Sequence, residues 1–76
     1  MTEVEKFDAL FRKIMNVSPD TPIDEMNREN FSGWDSLRHA ELLIAIQTTF
    51  KLKVEFKEVL SLSSVKALRE KIRSQA

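Results

Sequence analysis

A chain of 76 residues with one glycine and two prolines has almost nowhere to turn sharply, so most of it must be regular structure. The apolar spacing identifies that structure as helix. Thr2 followed by Glu5 at the fourth position of a capping box opens a first helix over about residues 3–15, with Val4, Phe7, Leu10, Phe11 and Ile14 on one face. Asn16 and the turn Ser18-Pro19-Asp20 end it, because the residue before a proline is driven out of the α region. From Val17 to Asp35 the periodicity fails, and Pro19, Pro22, Asn27, Asn30 and Gly33 mark a long connection. Val17, Ile23, Met26 and Phe31 punctuate this stretch with apolar anchors, which predicts an ordered loop pinned over the core.

A second helix follows from about Ser36 to Thr49, and its apolar residues Leu37, Ala40, Leu42, Leu43, Ile44 and Ile46, with Phe50 just beyond, cover more than one face. Such a helix is expected to be central, with Leu37, Ala40 and Ile44 left as a partly exposed strip. The alternation from Phe50 to Phe56 resembles a strand, but a strand with no partner cannot satisfy its edges, so it reads as a connector. Phe56, Val59, Leu60 and Leu62 suggest a short third helix, and Ser63 or Ser64 caps a last one carrying Val65, Leu68 and Ile72. The expected fold is all-α: a four-helix bundle in one domain, residues 1–76, with a long loop between helices one and two. Phe7, Phe11, Phe50 and Phe56 are assigned to its core. Lys66, Arg69, Lys71 and Arg73 suit the negative end of the last helix and read as a solvated face.

Composition narrows the function. A domain this small buries only about 60% of the surface its unfolded chain exposes, which leaves little room for a closed pocket. Twelve Lys+Arg balance twelve Asp+Glu, which argues against nucleic acid, whose binding needs an excess of cations to neutralise phosphates. The absence of cysteine removes disulfides, thiolate metal sites and a thiol nucleophile, and fits a reducing compartment. The longest apolar run, around Leu42 to Ile46, is far short of the roughly 20 residues of a bilayer span. The first residues have neither the basic start nor the apolar core of a secretory signal, so the expected location is the cytoplasm.

The stretch Phe31-Ser32-Gly33-Trp34-Asp35-Ser36-Leu37 delivers a hydroxyl to the start of the second helix. Asp35 or Ser36 is expected to cap that helix. A helix start also offers unpaired N–H groups and a positive dipole end, so a phosphate attached to Ser36 would be stabilised there, although the charge of Asp35 opposes it. The stretch therefore reads as a modification site. A hydrolase would use Ser36 and His39 on one helix face with Asp35 or Glu41 as the orienting carboxylate. Neither a Gly-x-Ser-x-Gly elbow nor an oxyanion hole accompanies them, so we expect no enzyme activity. His39 is expected at the surface, and with no second histidine and no cysteine a zinc site is not expected. Trp34 either covers the core edge or flanks an attached group.

Gly33-x-Asp35-Ser36-Leu37, followed by Glu41-Leu42, Phe50, Val54, Phe56 and Ser64-Val65, resembles the acyl carrier proteins and their peptidyl-carrier relatives. It is similar in particular to the stand-alone bacterial carriers that read Trp-Asp-Ser-Leu at the attachment site. The resemblance covers about Glu3 to Arg73, in element order and loop length as well as motif. It implies that Ser36 carries 4′-phosphopantetheine, transferred from coenzyme A by a phosphopantetheinyl transferase, with Asp35 beside it at the cofactor site. It also implies that acyl-loading and acyl-processing enzymes dock transiently on Leu37, Arg38, Ala40, Glu41 and Ile44 of a monomeric carrier. Such a carrier has no catalysis of its own, because the thioester chemistry belongs to the cofactor. Cargo from a fatty-acid, polyketide or other specialised acyl pathway fits this reading.

Two features depart from the family. The second helix has Glu41 but carries Gln47, Thr48 and Thr49 where acids are common, which points to dedicated partners rather than general fatty-acid enzymes. Ser32 stands where a leucine often precedes the glycine, and Phe31 is the alternative anchor. The alternative functions are a peptidyl or aminoacyl carrier and a cofactor-free helical interaction module using the same apolar strip. A long acyl chain, if carried, is expected to insert near Leu42, Ile46 and Leu68 and to raise the melting temperature.

Overall fold

The computed structural model describes residues 2–75, the last of them by backbone alone. Three α-helices form in the order α1 (Glu3–Met15), α2 (Ser36–Phe50) and α3 (Val65–Gln75), and no strand occurs among the described residues. The chain is all-α, but the expected third helix shrinks to a single 3-10 turn, Phe56–Glu58. Its apolar residues do not share a buried face. Phe56 is 94% exposed and Leu60 is 78% exposed, so the assignment of Phe56 to the core is corrected. Without an apolar face to bury, a segment this short lacks the packing that carries most helical stability.

The capping box at Thr2 and Glu5 starts α1 as the sequence predicts, the Thr2 hydroxyl accepting from the Glu5 amide at 3.1 Å. Asn16 ends the helix in the left-handed region, at φ 57°, and the amide of Val17 donates to the carbonyl of Arg12. The stop thus falls ahead of the Ser18-Pro19 turn. Arg12 folds over it, donating from Nη1 to the carbonyls of Ser18 and Thr21, both at 2.7 Å, and this fixes the departure of the long loop.

That loop is ordered and anchored, with Ile23 buried and Val17, Met26 and Phe31 packed against the core. Its middle pairs with the start of α3: the amide of Arg28 donates to Ser63 and that of Val65 to Met26, forming a one-residue bridge between Asn27 and Ser64. Ser64 is the cap of α3, its hydroxyl accepting from the Ala67 amide at 3.1 Å.

Phe7, Phe11 and Met15 of α1 meet Leu42, Leu43 and Ile46 of α2 and Val65, Leu68 and Ile72 of α3 in one core. The helix packed against both others is α1, rather than α2 as its broad apolar surface suggested. Leu42, Ile46 and Leu68 are at most 1% exposed and belong to this filled core. The open groove lies elsewhere, between α1 and α2.

The basic residues of α3 divide into two roles. Lys66 and Arg73 lie in solvent as expected, but Arg69 and Lys71 are tie points whose side chains are 15% exposed. Arg69 grips both oxygens of Asp8 on α1 and reaches Asp24 in the loop at 2.6 Å, and Lys71 pairs with Glu58 at 3.0 Å. No helix among the described residues is long and apolar enough to cross a membrane.

Candidate functional site

Asp35 caps α2, its Oδ1 accepting from the Arg38 amide at 2.9 Å. This leaves Ser36 as the first helical residue, exposed, with a hydroxyl that capping does not consume. The sequence left open which of the two residues caps; the extended backbone of Asp35, at φ −94° and ψ −175°, decides it. Ser36 Oγ accepts one hydrogen bond, from Arg28 Nη2 at 3.3 Å.

The sequence does not single out Arg28, which arrives from the long loop through local geometry. Asn27 Oδ1 accepts from the amides of Glu29 and Asn30, Asn30 Oδ1 accepts from the amide of Asn27, and Asn30 Nδ2 donates to Glu25. Side-chain amides folded onto neighbouring backbone in this way fix a turn. With the Arg28 amide bonded to Ser63, the residue is held from both sides. The sequence signal was faint: two asparagines at a spacing of three around an arginine, in a loop otherwise lacking cations near Ser36.

The approach to Ser36 is built on Trp34. Trp34 is 2% exposed, packs edge-on against Phe11 with ring centroids 5.1 Å apart, and donates from Nε1 to His39 Nδ1 at 3.0 Å. His39 is 3% exposed, which corrects its expected surface position. Its Nε2 lies 2.7 Å from the carbonyl of Val59, so the ring accepts from Trp34 on one side and donates to Val59 on the other. Both hydrogen bonds together require the neutral Nε2–H tautomer. His39 thus fastens the loop end, α2 and the segment after the 3-10 turn to one another. With both nitrogens engaged inside the protein, it is not available as a general base to Ser36.

Gly33 has a negative φ, so backbone freedom is not its role. The Phe31 ring lies across it: a β-carbon at position 33 would sit 2.8 Å from Phe31 Cζ. Phe31 thereby supplies the anchor that Ser32 cannot. Gly33→Ala is expected to displace that ring, which is partly exposed and can shift, and to cost up to about 1 kcal/mol. Thermal denaturation checks this, and in a Phe31→Ala background the same substitution should be close to neutral. An equal penalty in both backgrounds would show that the ring contact is not the reason for glycine.

The strip on α2 divides between solvent and structure. Leu37 and Ile44 are 68% and 64% exposed, and Ala40 and Glu41 are also exposed. Arg38 is half-buried and donates from Nη1 to the carbonyl of Ile14, so its guanidinium ties α2 to the end of α1. Leu37, Glu41 and Ile44 form one wall of the open groove and Leu10, Lys13 and Ile14 the other, and Ala40 does not line it. Farther along α2, Gln47 Oε1 accepts from the Val54 amide at 3.1 Å, so this departure from the family pattern pins the connector.

No cluster of metal-ligating side chains occurs among the described residues. No protein-family model matches the chain, and no curated protein matches it.

Proposed function

We propose that the protein is an acyl carrier whose Ser36 hydroxyl is esterified with 4′-phosphopantetheine by a separate transferase. The observation that carries this reading is the state of that hydroxyl: exposed, released from capping by Asp35, and met by a guanidinium at 3.3 Å. A serine recruited only to start the helix would turn its oxygen onto the backbone amides, as Ser64 does at α3. In the proposed loading step Ser36 Oγ forms a bond to the phosphorus of coenzyme A that bears the pantetheine. The pyrophosphate P–O bond breaks, adenosine 3′,5′-bisphosphate leaves, and the hydroxyl proton passes to a base on the transferase.

The residues present fit the group. Arg28 offers a cation to a phosphate oxygen, exposure gives the donor access, and Trp34 and His39 fasten the start of the helix on which Ser36 sits. When bound, the arm supplies a terminal thiol that carries acyl groups as thioesters. The chain itself presents, orients and docks. Leu37 and Ile44, exposed beside the attachment point, suit brief contacts with the loading and processing enzymes. The same two residues also favour the second reading, a cofactor-free interaction module.

Incubation with coenzyme A and a broad-range phosphopantetheinyl transferase, followed by intact mass measurement, separates the two. The carrier reading expects one adduct on the wild type and none on Ser36→Ala. A wild type that stays unmodified, while the transferase loads a known carrier alongside it, favours the interaction module.

A further inference from the structure

The proposed site contains an unresolved electrostatic conflict. Asp35 places a carboxylate next to Ser36, and it already occupies the Arg38 amide at the start of α2. A phosphodiester on Ser36 would bring a second negative charge beside the first, and like charges in contact are unfavourable. The helix dipole alone does not offset this, since it amounts to about half a charge and the cap has used part of it.

Arg28 resolves the conflict. The described ion pairs do not include it, and its side chain makes one described hydrogen bond, to the neutral oxygen of Ser36. A guanidinium has five donors in a planar fork suited to phosphate, so most of its capacity is unspent. It is also held in place beforehand, half-buried, by the Asn27–Asn30 turn and the bond to Ser63. We infer that Arg28 is the positioning residue for the phosphodiester: it binds an unesterified oxygen of the phosphate and fixes the direction in which the arm leaves Ser36. The inference rests on the carrier reading and adds a residue and a consequence to it. Loading replaces a bond between a charged donor and a neutral oxygen by an ion pair with the phosphate, so modification itself stabilises the fold.

The test compares the thermal midpoints of loaded and unloaded protein for the wild type, Arg28→Gln and Arg28→Lys, with loading verified by mass. For the wild type, loading should raise the midpoint by about 4 °C in low salt. Arg28→Gln should retain the unmodified midpoint to within about 2 °C and lose most of the increment on loading, while Arg28→Lys restores part of it. An equal increment in the wild type and Arg28→Gln overturns the assignment. A merely structural arginine would shift loaded and unloaded forms together and leave their difference unchanged. If Arg28→Gln cannot be loaded, the wild type alone decides. Its increment should shrink by about half or more between low salt and 1 M salt, where the screening length falls to about 3 Å, and a salt-independent increment overturns the inference. Failure of the wild type to load refutes the carrier reading instead, and the two failures are therefore distinct.

Discussion

Trp34→Ala is expected to lower the thermal midpoint by at least about 12 °C, the largest effect of any single substitution near the site. The indole is 2% exposed and fills the space between Phe11 and His39. Removing a buried aromatic costs about 3–5 kcal/mol, and a chain of this length holds about 4–11 kcal/mol in all. Trp34→Phe separates packing from hydrogen bonding. It keeps a ring against Phe11 but leaves His39 Nδ1 buried without a donor, at a cost of about 1–3 kcal/mol. Circular dichroism melts should therefore rank wild type above Trp34→Phe and both above Trp34→Ala. Trp34→Ala melting within about 2 °C of the wild type would show that the residue merely covers the surface.

Arg69→Met ranks second, with an expected loss of about 1.5–3 kcal/mol from the two-oxygen grip on Asp8. Methionine retains much of the apolar stem, but Asp8, 26% exposed, loses a two-oxygen grip and Asp24 loses its partner. The effect should depend on pH with a definite sign. The hydrogen bond from Arg69 holds the Asp24 carboxyl below its ordinary 3.8, and the hydrogen bond from Lys71 holds Glu58 below its ordinary 4.5. A depressed carboxylate contributes its stability above the ordinary value and loses it as pH falls through the lowered one. The gap in urea midpoint between wild type and Arg69→Met should therefore be constant from pH 5 to 7 and narrow below about pH 3.8. A gap that widens on acidification would contradict the ion-pair account.

Much of the fold was readable from local rules. A capping box, a broken periodicity and a return of apolar spacing locate α1, the loop and the start of α2 without any tertiary information. The exposure of Leu37 and Ile44 follows from a helix with more apolar surface than one core can take. What escaped the sequence depends on partners distant along the chain. His39 is buried because the Val59 carbonyl, twenty residues away, accepts from it. Arg69 becomes a hub because Asp8 lies sixty-one residues back and Asp24 forty-five. Arg28 reaches Ser36 only because the loop is pinned to α3. The need for glycine at position 33 also depends on tertiary placement, since its lack of a side chain makes room for the Phe31 ring rather than serving the backbone.

The proposed carrier function reduces to a single atom, Ser36 Oγ, and site-resolved mass spectrometry of the loaded protein addresses that atom directly. After treatment with coenzyme A and transferase, proteolysis and fragmentation should place the phosphopantetheine mass on Ser36, with Ser32 and all other hydroxyls unmodified. An adduct on a different residue, or none in any peptide, would contradict the account.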